Sequence, residues 1–202
     1  MRLTAIFETW HLGDGNYPPL HTGMPVNLSF ELQSEPLVRA DQKQPEALKQ
    51  LEDAEYEFWA TVLKIYSRDE PVVVIQMRDF RCYVACSPKR QLEFKVGDRV
   101  RGRGRLLLDH YLWVEYLRTY DGAPDLFYNL RVNRIRAVKI PESFIHRSEK
   151  GLSHPCSLKP GQYTSSDVRD VESMEDMGCQ FYLVDFDSAG VEKDEIPRTF
   201  LS

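Results

Sequence analysis

Between Val26 and Gln33 the chain alternates without a break. Val26, Leu28, Phe30 and Leu32 are apolar, and Asn27, Ser29, Glu31 and Gln33 between them are polar. A period of two is that of a β-strand with one face on a core and the other in water. Similar, less regular patterns predict strands at 3–10, 58–66, 72–77, 80–86, 99–108, 111–117 and 130–140. The last shifts phase near Asn133, which suggests a bulge. A strand at 179–187 is apolar on both faces, so it should pack into the body. Arg78-Asp79, Asp109-His110 and the 67–71 stretch sit where hairpin turns are needed, and Val96-Gly97-Asp98 suits a turn into the strand at 99.

Helical signals are few. Pro45 ahead of Glu46 suits the first turn of a short helix over 45–52, with only Leu48 and Leu51 to bury, or else a linker. Ser166 could cap a second helix reaching about Asp176, with Val168 and Val171 on one face and Gly178 just past its end. Leu12 to Pro19 carries Gly13, Gly15, Asn16, Pro18 and Pro19 and reads as a loop. Residues 141–178 read as a polar connection containing the short helix, and 188–202 as an acidic, mobile tail.

The strand order in 56–120 resembles the OB-fold, a five-stranded Greek-key barrel. The residues that carry the likeness are Trp59 to Ile65, Val73-Val74-Ile75, Cys82-Tyr83-Val84, and Tyr111 to Glu115 as the closing strand. Phe94-Lys95-Val96-Gly97-Asp98-Arg99-Val100 is similar to the Gly-Asp entry that precedes a strand in many such barrels. The stretch 87–93 is too short for the usual helix between third and fourth strands, so an SH3-like barrel or a sandwich stays open. The expectation is a mainly β chain: one elaborated domain over 1–202 and a small barrel core at 54–140. N- and C-terminal strand extensions and one or two short helices complete it.

Composition and charge narrow the classes. The 202 residues are 42% apolar and 28% charged, which is ordinary for a globular chain. The apolar runs are far shorter than the roughly 20 residues of a membrane span, and the N-terminus lacks a secretory pattern. The expectation is a soluble, cytoplasmic protein. Net charge is −5, distributed unevenly: 4 basic against 8 acidic side chains in 1–53, 16 against 11 in 54–140, and 6 against 12 in 141–202.

The basic middle suggests a ligand face. Arg99, Arg101, Arg103 and Arg105 fall on one side of their strand, with Val100, Gly102, Gly104 and Leu106 on the other. The glycines would ease curvature or let another backbone approach. Four guanidiniums in line could follow a phosphate backbone, and an OB-like barrel would add stacking aromatics. Trp59, Tyr66, Phe80, Tyr83, Tyr111 and Trp113 are the candidates, with Trp59, Tyr83 and Trp113 foremost. The competing expectation is that the row faces water or is neutralised by the acidic terminal segments, and that the aromatics are core. A second candidate surface is the loop carrying Trp10, His11, Tyr17 and His21, whose aromatics suit protein recognition. Alternatively it plugs one end of the barrel.

Catalytic and metal signals are weak. Cys82 and Cys86 on one strand would lie about 13 Å apart, at roughly 3.3 Å per residue, and a disulfide needs less than about 7 Å. With Cys156 and Cys179 they read as free, mostly buried thiols. His154-Pro155-Cys156 lacks zinc-site spacing, so no metal or cofactor is expected. No nucleophile elbow, phosphate loop or dinucleotide fingerprint is present. His11 beside Asp14 is the least implausible acid–base pair.

These readings favour a non-catalytic binding module with a protein partner. The alternatives are single-stranded nucleic-acid binding through the arginine row, and an enzyme with a non-obvious site. No membrane partner is expected.

Overall fold

The computed structural model describes residues 1–13, 17–66, 72–85, 94–141, 162–171 and 181–189. Two compact units emerge: residues 1–27 with 128–202, and residues 28–127.

The first unit is a sheet assembled from both ends of its sequence. It comprises β1 (Arg2–Glu8), β2 (Pro25–Leu28), β10 (Tyr128–Lys139), β11 (Thr164–Val168) and β12 (Phe181–Asp187). The order is β11-β10-β12-β1, with β2 also on β10. β1 and β12 pair antiparallel from Arg2↔Asp187 to Glu8↔Phe181. Every β1 residue after Arg2 is buried, as are Phe181 to Val184 and Phe186 of β12. The two-sided apolar reading of the last strand therefore holds. The phase shift foreseen near Asn133 is a register break between Val132 and Arg134 where β10 meets β12. An α-helical turn, α1 (Trp10–Gly13), follows β1.

The second unit is a closed five-stranded barrel with additional strands. Its staves are β3 (Phe30–Ser34), β6 (Glu55–Tyr66), β7 (Val72–Met77), β8 (Phe80–Ala85) and β9 (Arg99–Leu108). Around the barrel they run β3-β8-β7-β6-β9 and back to β3. β3 meets β8 in parallel, and the other four contacts are antiparallel. The length of β6 makes closure possible. Its first half pairs β9 and its second half pairs β7, so one twelve-residue strand turns the corner. β5 (Ala47–Glu52) lies along β6, and β4 (Val38–Arg39) along β9.

Two glycines set the fit of β9. A Cβ on Gly104 would lie 2.6 Å from the Gln33 carbonyl oxygen and 2.7 Å from Ser34 Cα. Only glycine admits β3 at that distance. A Cβ on Gly102 would meet Cζ of Phe58 at 2.6 Å, so the missing side chain leaves room for that ring.

Four sequence expectations are corrected. The 26–33 strand is two, β2 and β3, parted at Ser29. Ser29 and Glu31 are buried instead of facing water, because each has a polar partner inside the barrel. Residues 45–52 form strand β5 in place of a helix, since pairing with β6 outweighs the weak helical propensity. Ser166 lies in β11, paired to Ala137, and does not cap a helix. Residues 111–117 do not close the barrel: a π-helix spans Leu112–Tyr116 and a 3-10 turn Leu117–Thr119. The closing strand is β3, from upstream of the other four. Strand β10 pairs with β11 and β12 in the first unit.

The turn at 67–71, the 14–16 part of the N-terminal loop, Cys86, Cys156, Cys179, His146, His154, residues 142–161 and 172–180, and the tail from 190 lie outside the described residues.

Candidate functional site

The arginine row lies on one side of β9, as its alternation required. Across the strand boundary Arg99 faces Thr61, Arg101 faces Trp59, Arg103 faces Glu57 and Arg105 faces Glu55. The carboxylates beside the row come from the barrel's own strands and the start of β5. Arg103 Nε donates to Glu55 Oε1 at 2.7 Å, and Arg99 approaches Glu46 Oε1 at 2.9 Å. Glu46 also accepts from Thr61 Oγ1 at 2.5 Å and from the Arg78 backbone N–H at 2.7 Å. Burial acts to raise the Glu46 carboxyl. The bonds from Thr61 and Arg78 and the charge of Arg99 outweigh it and hold the group below its ordinary value.

Arg101 differs from its neighbours. It is exposed and has no ion pair among the described residues. Val38 of β4, 53% exposed, sits opposite it on its other side. Trp59 is half-buried, and its indole N–H is enclosed without a hydrogen-bond partner among the described residues. Among the described residues the Arg101 guanidinium is thus unpaired, with Trp59 and Val38 opposite it on the neighbouring strands. Tyr83 and Trp113, the other two expected stacking residues, lie inside the barrel at 0% and 1% exposure.

Sequence reasoning missed a polar knot in that interior. Tyr83 Oη is 2.6 Å from Asp109 Oδ1 and 3.0 Å from Glu31 Oε2, with one proton to offer two carboxylates. Asp109 further accepts from Ser29 Oγ at 3.3 Å and from the backbone N–H groups of Trp113 and Val114 at 3.1 and 3.0 Å. His110 Nδ1 lies 3.3 Å from Glu31 Oε2. Burial pushes the Asp109 carboxyl up, against the pull of those hydrogen bonds. Burial, then the charges of Glu31 and Asp109, push the Tyr83 phenol far up, and burial with Glu31 does the same to the neighbouring Cys82 thiol. Both stay protonated and unreactive. The knot ties β3, β8 and the end of β9 to the π-helix. No spacing rule could have found it, since Glu31, Tyr83 and Asp109 come from three distant segments.

The N-terminal aromatics pack on one another. His11 is fully buried, stacked on Trp10 at 4.1 Å and edge-on to Tyr17 at 5.3 Å, with Phe7 5.4 Å away. His11 Nδ1 is 3.1 Å from the Glu8 carbonyl, and Trp10 Nε1 donates to Glu8 Oε2 at 2.7 Å. Tyr17 is buried. Trp10 keeps 39% exposure, and His21 is exposed, in a bridge to Asp170. The loop thus supplies core to its own unit through His11 and Tyr17, while Trp10 and His21 keep exposed surface.

Among the described residues no group of three or more His, Cys, Asp or Glu could hold a metal ion, and no helix is long and apolar enough to cross a membrane. Comparison of the chain with protein-family models, with curated proteins and with solved structures gave no match in any of the three.

Proposed function

We propose that the chain is a non-catalytic binding module that engages a protein through the outer face of β4, β9, β6 and β5. The observation that carries this reading is the alternation of charge on that face. Arg99 and Arg103 are matched by Glu46 and Glu55, and Glu57 sits across from Arg103. A polyphosphate follows a continuous positive track, whereas this surface is mixed, with Trp59 and Val38 beside the Arg101 guanidinium, unpaired among the described residues. Arginine and tryptophan are the side chains that most often dominate protein interfaces. The unreactive state of Cys82 and Tyr83 further supports a role without chemistry.

The barrel order supports a binding role by analogy only. Taken from β6, the staves β6-β7-β8-β9 follow the Greek-key order of an OB barrel, with the fifth strand supplied by β3 from upstream. A second reading, single-stranded nucleic acid, draws on Arg101 beside Trp59, because a cation and an aromatic face together can hold a base and its phosphate.

A photo-crosslinking amino acid at position 101 in living cells separates the two. A discrete protein adduct, lost on Trp59→Ala, is expected. An adduct that nuclease digestion collapses, together with steeply salt-dependent anisotropy on single-stranded oligonucleotides, would overturn the protein reading in favour of the second.

A further inference from the structure

Directly opposed residues of neighbouring strands share a face. The pairings of β4, β9, β6 and β5 therefore place Val38, Arg101, Trp59 and Ala47 in one line across the outer side of the sheet. Neighbours in such a line are about 4.8 Å apart. Val38 and Arg101 are exposed, and Trp59 and Ala47 are half-buried. The line is a single cation with an aliphatic side chain to one side and an indole to the other, and Ala47 beyond the indole adds no bulk.

The lines above and below it differ. Arg99 stands opposite Thr61, and Arg103 opposite Glu57, which in turn faces Lys49. Glu46 is taken by Arg99, Thr61 and the Arg78 N–H, and Glu55 by Arg103. The charges of Glu35 and Glu57 also act on Arg103. Negative charge on this face gathers at Arg99 and Arg103 and passes over Arg101, which has no ion pair among the described residues.

That distribution selects an anion. A phosphoryl group carries about −1.5 to −2 charges at neutral pH and draws clusters of arginine. Here it would meet one unpaired guanidinium, with carboxylates at the arginines on both sides, so its second charge would be unmatched. A carboxylate carries one charge, and its two oxygens can take the guanidinium fork together. The neighbours of Arg101 add an apolar requirement. Whatever carries the anion must also cover an aliphatic side chain or an indole about 5 Å away.

We propose, resting on the protein-binding reading above, that this face recognises a protein segment that sets one carboxylate on Arg101 and an apolar side chain beside it on Trp59.

The test uses the full chain labelled with nitrogen-15 and two reporters on the face. These are the Arg101 Nε–H and the Trp59 indole N–H, identified by their loss in Arg101→Lys and Trp59→Phe. The probe is 4-phenylbutyrate. Its controls are 4-phenylbutyramide, of the same shape without the charge, and phenyl phosphate, with a second charge. Saturable shifts of both reporters are expected with the carboxylate, at an affinity about two- to fivefold above that of either control. The preference over the amide should shrink as salt is added. No saturable shift, or a control that binds as tightly as the carboxylate, would overturn the proposal; with phenyl phosphate the partner would be a phosphorylated one instead. Because the controls vary the ligand, the outcome does not depend on any variant folding. The crosslink at position 101 keeps the two failures apart. A protein adduct without a carboxylate preference retires the partner chemistry alone, and no protein adduct retires the protein-binding reading and this proposal with it.

Discussion

The sheet of the first unit and the barrel of the second both spend carboxylates on hydrogen bonds, in opposite settings. On the sheet two pairs lie at the surface, Arg2 with Asp187 and Arg134 with Asp167, and a third, Arg136 with an Asp185 that also accepts from Thr4, is part-buried. In the barrel, Glu31 and Asp109 are enclosed around one phenol. Water screens and replaces the first kind of contact, whereas the second has no substitute within reach. The same chemistry thus decorates one unit and holds the other together.

The largest effect should come from Tyr83→Phe, which removes the shared donor and leaves two buried carboxylates facing each other. We expect a loss of about 3 kcal/mol in denaturant unfolding of the barrel. A loss below about 1 kcal/mol would mean that the knot is not the fastening described. Gly104→Ala follows at about 2 kcal/mol, because its Cβ would strike β3 backbone. Gly102→Ala should cost less, since a ring can tilt where a main chain cannot, and the order of the two unfolding midpoints checks the closure of the barrel.

Acidity separates the units next. Asp109 holds its proton more tightly folded than unfolded, so its contribution is greatest below the ordinary aspartate value of 3.8 and declines as pH rises through the raised folded value. Asp167 and Asp187 are lowered, by the Arg134 hydrogen bond and by the Ala189 N–H and Arg2 respectively. Their contributions are present above the ordinary value and decline as pH falls. Unfolding midpoints of wild type and Asp109→Asn, measured across pH, should therefore diverge on the alkaline side. Parallel curves would show that Asp109 titrates as it does unfolded. The smallest effect belongs to Arg134→Ala, which removes an exposed, screened pair and should lower the thermal midpoint only marginally. A clear drop would make the surface ladder a structural element after all.

The contrast also marks what could be read from the chain. Alternation located most of the strands, because a half-buried strand writes its two faces into consecutive residues. It misread 111–117, where Leu112, Val114 and Tyr116 mimic a strand. There the fold is decided by Asp109 capturing two N–H groups and by Tyr111 taking a left-handed turn, neither of which has a periodic signature. It misread 45–52 because Pro45 and Glu46 suit a helix start, while pairing with Trp59 and Phe58 is a contact across the turn that propensity does not count. The arginine row was legible as a row. That the acidic 1–53 segment would supply a counter-charge was legible too, and Glu46 on Arg99 is one; Glu55 on Arg103 was not, because it comes from the neighbouring strand of the basic middle itself. Ser29 and Glu31 were assigned to water by the very alternation that located their strand.

The position of β3 has a consequence for synthesis. The stave that closes the barrel leaves the ribosome before the four it must join, and its partner β9 is complete only at Leu108. At about 5–20 residues per second the segment Phe30–Ser34 waits several seconds with its edges unpaired and Phe30 and Leu32 uncovered. The sheet is later still: the β10 partner of β2 begins at Tyr128, and the β12 partner of β1 only at Phe181. All five staves of the barrel therefore exist before β10, β11 and β12 of the sheet have been made, so the barrel can close first and the sheet must be completed around strands already waiting.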